Sequence, residues 1–273
     1  MEFDRPKCLA SAAVDALNET DLDVKTAKVN LLAQLWEARS LSLTSKKDMS
    51  VPNEPGRPDV PIMVPPHNVP KRSIRSEKGM IALLHAIAHI ELNAIDMALD
   101  IIARFTNENM PRSFFDGWVI VAKEESKHFN LLRNRLSDFS SFYGALPAHG
   151  GLWESAQKTQ HSLLARLAIV PLVLEARGLD ISPSLISQIT KINDNKTADI
   201  FRIIYEDEKG HVAVGTKWFR FLCQRHQLDP ALTFQKMVNQ HFRGPLKPPF
   251  NDLARCKSGL TPLFYRSLPT SGH

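Results

Sequence analysis

The fold is decided by two short stretches, Glu125-Ser-Lys-His128 and Glu208-Lys-Gly-His211. Each motif places a glutamate and a histidine three residues apart, which on an α-helix puts both side chains on the same face. A further glutamate, Glu91, lies 34 residues before the first motif, and Glu175 lies 33 residues before the second. A unit made of one glutamate-bearing helix, a connection and one ExxH helix therefore occurs twice.

Around these motifs the chain has the three- and four-residue apolar spacing of buried helix faces. In each face a carboxylate occupies a position where leucine would be expected, as Glu91 does between Ile87 and Ile95. No stretch alternates with a period of two, so the sequence predicts an all-α helical bundle without strands. The predicted helices are long ones near residues 76–106, 113–137, 153–178 and 196–226, and short ones near 184–192 and 230–242.

Four carboxylates on buried faces require compensation, because burying an unpaired charge costs several kcal/mol and crowded carboxylates raise one another's pKa. Two divalent cations would balance the four negative charges. A donor set of carboxylates and imidazoles favours iron or manganese over zinc bound by thiolates. The predicted metal ligands are Glu91, Glu125, His128, Glu175, Glu208 and His211.

Five stretches carry a resemblance to the ferritin-like superfamily of di-iron and di-manganese carboxylate proteins, in which two helices each supply Glu and two supply ExxH. The chain looks closest to the uncharacterised ferritin-like domain-of-unknown-function 455 family. The resemblance implies a metal-binding four-helix bundle, covers the chain from the proline-rich segment through the fourth long helix, and supplies no substrate. The matching stretches are LHAIAHIELNAIDMALD (84–100), VAKEESKHF (121–129), YGALPAHGGLWE (143–154), RLAIVPLVLEARGLD (166–180) and YEDEKGHVAVGTKWF (205–219).

The predicted organisation has three parts. Residues 1–75 form N-terminal helices and a proline-rich strap, because seven of the 18 prolines lie between Val51 and Pro70 and interrupt helix there. Residues 76–226 form the ferritin-like bundle, and residues 227–273 form a C-terminal helix and an irregular basic tail packed on it. A free linker is the alternative for the proline-rich part.

Several neighbours of the predicted ligands are candidates for supporting roles. Asp207 is expected to hydrogen-bond His128, and Glu124 to hydrogen-bond His211, fixing the imidazole tautomers; Glu124 as a simple surface charge is the alternative. Tyr205 is either a redox-active phenol or a core tyrosine, and His149 is a loop residue expected to cover one end of the site. We interpret His85 and His89 as partly buried, hydrogen-bonded polar residues, and we expect Pro171 to kink its helix beside Glu175.

The sequence favours an oxidoreductase with a non-haem di-iron or iron–manganese centre that activates O2 to hydroxylate or desaturate an unidentified organic substrate. Such an enzyme would need a small-molecule substrate and an electron donor. Which carboxylates bridge the metals, and the oligomeric state, stay open. One alternative is a ferroxidase or iron-handling protein. Another is a tRNA-modifying hydroxylase, supported only by the basic tail, where five cations from Arg243 to Arg266 face the single acid Asp252.

Composition limits the class of protein that the chain can be. The net charge of +5 lies mostly in the tail, and 43% hydrophobic residues are ordinary for a globular protein. Three separated cysteines give neither a disulfide framework nor a zinc motif, and no basic-then-apolar leader or clean membrane-spanning stretch is visible. We therefore expect a cytoplasmic protein without a membrane span.

Overall fold

A computed structural model describes residues 6, 8–44 and 50–270, and within them the fold is all-helical, as predicted. Strands are absent from these residues, where β-pairing is limited to isolated bridges such as that between Met63 and Ala148. No helix among the described residues has the length and apolar character that crossing a membrane requires. The chain divides into two compact units, Met1–Gly151 and Leu152–His273. The domain boundaries proposed above, at residues 75 and 226, stay predictions.

The first unit contains four α-helices that pack around one core: α1 (Leu9–Asn18), α2 (Leu22–Glu37), α3 (Glu77–Arg104) and α4 (Arg112–Asp138). A short 3-10 helix, Pro66–Asn68, lies between α2 and α3. Helix α2 begins as a separate helix after α1, because the Asp21 side chain accepts backbone hydrogen bonds and caps it. Helix α1 packs on α2 and α3, while α2 packs on α4. The long hairpin of α3 and α4 is thus supported by both N-terminal helices.

Buried polar contacts fix the N-terminal helices on this hairpin. The fully buried Lys25 of α2 donates to Asp96 of α3 at 2.7 Å and to the carbonyl oxygen of Gly56 at 3.1 Å. The indole of Trp36 donates to Asp116 of α4 at 2.8 Å. One buried ammonium group therefore joins α2, the proline-rich strap and α3.

The second unit contains α5 (Gly151–Lys158, which begins at the unit boundary), α6 (Leu163–Ile169), a π-helical segment (Val170–Glu175), α7 (Ala176–Lys191) and α8 (Asn195–Arg225). Three shorter helices follow: α9 (Pro230–His241), α10 (Asp252–Lys257) and α11 (Pro262–Tyr265). A hairpin of α6, the π-segment and α7 packs along α8, and α9 and α10 also contact α8.

The helix predicted over 153–178 differs from the structure at both ends. Helix α5 stops at Lys158, and Ser162 caps a new helix by accepting from the amide of Ala165. From Leu163 the helical chain then continues through Pro183 to Lys191, so the predicted break near residue 180 is absent.

Asn251 explains why Pro183 is tolerated inside α7. Proline has no amide hydrogen, so the carbonyl of Leu179, four residues earlier, receives no bond from position 183. The side-chain amide of Asn251 donates to that carbonyl at 3.1 Å. The C-terminal segment therefore supplies the hydrogen bond that the helix lacks.

Candidate metal centre

The α3–α4 hairpin brings three of the predicted ligands together in the first unit. The Nδ1 atom of His128 lies 3.3 Å from a carboxylate oxygen of Glu91 and 3.4 Å from one of Glu125. One donor atom from each residue falls within 4.8 Å of the others, and all three side chains are buried. Two carboxylates and one imidazole nitrogen therefore converge on a point where a cation would contact all three.

Helix geometry accounts for this convergence. Glu125 and His128 lie on one face of α4 because three residues turn the helix by about 300°. Apolar residues such as Val121 and Leu132 extend the same face into the core, and both are fully buried. On α3, Glu91 lies between buried Ala88 and Ile95, so the hydrophobic packing that fixes the hairpin also fixes the donors.

Burial and mutual contact shift the pKa values of residues in this group. Burial, reinforced by the neighbouring charge of Glu125, raises the pKa of Glu91 to about 8. Burial alone would lower the pKa of His128, but its hydrogen bonds to Glu125 and Glu91 raise that pKa to about 11. Both shifts favour the protonated form, so protons on Glu91 and His128 reduce the net negative charge of the cluster at neutral pH.

The second ExxH motif lies within α8 in the second unit. His211 and Glu208 are both buried, and the Nδ1 atom of His211 lies 3.8 Å from a carboxylate oxygen of Glu208. Gly178 of α7 borders this carboxylate, since a β-carbon added there would lie 3.8 Å from the Glu208 carboxyl carbon. The second pair thus repeats the side-by-side arrangement of Glu125 and His128.

Glu175, the sixth predicted ligand, is the last residue of the π-helical segment and is also buried. No group of three donors that belong to the described residues of the second unit, and lie within 4.8 Å of one another, includes it. The structure therefore gathers Glu91, Glu125 and His128 as one group and Glu208 with His211 as a pair, with Glu175 on the facing hairpin arm.

At Pro171, where a kink was expected, the helix has a π-helical segment. A π-turn inserts extra backbone into a helix and is frequent at functional sites. Pro171 can pack closely on α8 only because residue 215 is glycine: a β-carbon there would lie 2.4 Å from the β-carbon of Pro171. The distortion of the helix before Glu175 is thus fitted to a specific gap in α8.

The candidates for supporting roles occupy varied environments. Glu124 and Asp207 are half-buried, and each precedes a glutamate predicted to be a ligand. Tyr205 accepts a hydrogen bond from the side chain of Asn251 at 3.2 Å, and Lys209 lies over its ring, which fits a structural role in the second unit. His149 lies in the loop after α4 and is half-buried.

His85 and His89 are more deeply buried than expected and belong to a network around Tyr143. The His89 Nε2 atom donates to the carbonyl of His149 at 3.2 Å, so its Nδ1 atom accepts from the Tyr143 hydroxyl at 2.7 Å. His85 stacks on the Tyr143 ring and accepts from the amide of Gly144. Burial lowers the pKa of His85 to about 4 and that of His89 to about 3. Sequence reasoning missed Tyr143, whose only signal was an aromatic residue beside a glycine-rich loop.

The fold and the site together define an all-helical protein with a buried carboxylate–histidine cluster of metal-ligand type. The chain belongs to the family described as "Protein of unknown function (DUF455)", whose model matches residues 18–266. It is similar to an uncharacterized protein of Haemophilus influenzae strain Rd, with 41% identity over 209 residues that cover 75% of this chain and 73% of the relative. No solved structure matches the chain.

Proposed function

We propose that this protein is a non-haem di-iron or iron–manganese oxidoreductase that uses O2 to hydroxylate or desaturate a small organic substrate. The observation that carries the proposal is the convergence of Glu91, Glu125 and His128 in a buried hairpin core. Its six ligands would be these three residues and their counterparts Glu175, Glu208 and His211.

The donor chemistry of the described cluster fits such a metal. Carboxylate oxygens and imidazole nitrogens are ligands of iron and manganese, whereas no cysteine is among the grouped donors of the described residues. A cation at this point would also displace the protons that the raised pKa values place on Glu91 and His128.

Repetition of the motif supports a centre with two metal ions. Each unit contributes one hairpin that carries a glutamate on its first arm and an ExxH pair on its second. A single mononuclear site would need only one of these two sets of buried glutamate and histidine. When bound, two iron ions would supply the redox chemistry that activates O2.

The residues of this chain have separable tasks in that reaction. Glu125 and His128, and likewise Glu208 and His211, would hold the ions with donors that apolar side chains fix in place. Buried residues on the same helix faces, including Val121, Leu132 and Ile204, exclude water around the cluster. The substrate and an electron donor would come from outside this chain.

The test uses matched glutamates on α8. Protein purified without oxygen and loaded with Fe²⁺ is mixed with O2, while O2 uptake and near-ultraviolet absorption are recorded. We expect stoichiometric uptake and an absorption change in the wild type, and at least a tenfold slower uptake in Glu208→Gln, which removes a ligand charge. Glu206→Gln, an exposed acid two residues earlier, is expected to behave like the wild type. Equal uptake by both variants would contradict the proposal.

A further inference from the structure

An open cavity on the surface of the first unit brings two cations beside two prolines and a valine. Its volume is about 410 Å³, and its lining residues are Pro66, Val69, Pro70, Lys71, Arg72 and His149. That volume lies within the range of small-ligand sites. None of the six residues belongs to the predicted metal ligands.

Among the described residues, the side chains of the two cations have no polar partner. Within residues 6, 8–44 and 50–270, neither Lys71 nor Arg72 forms an ion pair or a hydrogen bond with another side chain or carbonyl. Arg266 in the second unit, by contrast, pairs with Asp252. The positive charge in the cavity wall is therefore available to a ligand.

His149 adds a hydrogen-bond donor to the same wall. Its Nδ1 atom accepts from the backbone amide of Gly151 at 3.3 Å, so the neutral imidazole carries its proton on Nε2. An ammonium, a guanidinium and an imidazole N–H are all donors, and together they match the acceptor oxygens of an oxyanion.

The backbone that presents these groups is held on both sides. Before the cavity, the amide of Val64 donates to the carbonyl of Ala148 at 2.8 Å, and the amide of Ala148 donates to Ile62 at 3.1 Å. After it, the amide of Ser73 donates to the carbonyl of Gly79 at the start of α3. The loop itself is held because His149 accepts from His89 of α3. The backbone that carries the donors is thus held in place before a ligand arrives.

We propose that this cavity binds a small organic anion, with a carboxylate or phosphate group on Lys71, Arg72 and His149 and its carbon body against Pro66, Val69 and Pro70. The proline side chains have no donors and present apolar surface, so they favour a hydrocarbon or ring next to the charged group. This proposal stands independently of the metal centre.

Calorimetric titration of the full-length protein tests the proposal. The protein is treated with chelator first, so that no metal ion can bind the anion. The probes are inorganic phosphate, phenyl phosphate and benzoate at constant ionic strength. We expect saturable binding of phenyl phosphate at one site and at least fivefold weaker binding of inorganic phosphate, which lacks a ring. Comparison of benzoate with phenyl phosphate tells a carboxylate site from a phosphate site.

Of phenyl phosphate and benzoate, the probe that binds the wild type more tightly is expected to bind the variant Lys71→Gln/Arg72→Gln at least tenfold more weakly. Its control, Lys78→Gln/Lys123→Gln, removes two exposed cations of the same unit that do not line the cavity, and should change affinity less than twofold. Because neither Lys71 nor Arg72 has a partner among the described residues, the melting temperature should be unchanged. The absence of saturable binding of all three probes, or equal binding by the two double variants, would overturn the proposal. Metal content, measured separately on untreated protein, reports on the proposed function alone.

Discussion

At the scale of single residues, buried charges in this protein have partners suited to their roles. Asp96 is matched by Lys25 and Arg57, and Asp180 receives two hydrogen bonds from the guanidinium of Arg255. Such pairs hold elements together. Glu91 and Glu125 instead converge on the Nδ1 atom of one histidine, a set of donors that suits a metal ion.

His85 gives a residue-scale prediction about pH. Its pKa is about 4 in the folded protein and 6.5 in the unfolded chain, so between these values the unfolded state binds more protons. The free energy of unfolding should therefore fall as pH drops from about 6.5 to 4. Urea titrations of chelator-treated protein measure this fall. Between pH 6.5 and pH 4, the free energy of unfolding should fall by about 1–3 kcal/mol less in His85→Gln than in the wild type. The exposed control His226→Gln should keep the wild-type slope, and an unchanged slope in His85→Gln would contradict the assignment.

At the scale of elements, the hairpin in the second unit is shaped by two prolines and the residues that accommodate them. Pro171 lies in the π-segment and packs into the space above Gly215. Pro183 lies within α7 and leaves the Leu179 carbonyl to Asn251. Both distortions occur close in sequence to Glu175, so the irregular backbone and the proposed ligand belong to the same arm.

Two glycines of α8 test the packing of the π-segment. Gly215→Ala should lower the free energy of unfolding by about 1–3 kcal/mol, because the new β-carbon would overlap the Pro171 ring. Gly210→Ala is the control, since no atom lies within 4 Å of its added β-carbon and alanine favours helix. Urea unfolding of both variants measures the difference. Equal stabilities would show that the close approach does not constrain the segment.

A double-mutant cycle at Asn251 and Pro183 tests the hydrogen bond from Asn251 to the Leu179 carbonyl. Asn251→Ala should cost about 1–2 kcal/mol, partly because Asn251 also caps α10. In a Pro183→Ala background the alanine amide can bond the Leu179 carbonyl, so Asn251→Ala should cost less there. The capping loss is common to both backgrounds and cancels in the double-mutant cycle. A coupling energy of zero would remove the proposed role of Asn251.

At the scale of the whole molecule, sequence periodicity was enough to predict an all-helical chain and the α3–α4 hairpin. It was also enough to select Glu91, Glu125 and His128, because a charged residue in an apolar stripe is visible without coordinates. The π-segment and the continuation of α7 through Pro183 were not predictable, since each depends on a contact with a residue distant in sequence, Gly215 or Asn251. The cavity at Lys71 and Arg72 was missed for the same reason: its third donor, His149, comes from a distant loop.

Some cations of the basic tail form contacts within the second unit. Arg255 is buried between the rings of Phe250 and Tyr265 while it binds Asp180, and Arg266 pairs with Asp252. Two of the five tail cations that suggested RNA binding are therefore engaged within the second unit. This favours a structural role for the tail and weakens the case for a tRNA-modifying hydroxylase.

The central claim is that the buried carboxylates and histidines bind two metal ions. The most direct measurement is the metal content of the purified full-length protein, by elemental analysis, for the wild type and for Glu208→Ala. We predict about two ions per chain, iron or iron with manganese, in the wild type and a clear loss in the variant. Less than one ion per chain in the wild type, with no change in Glu208→Ala, would contradict the claim.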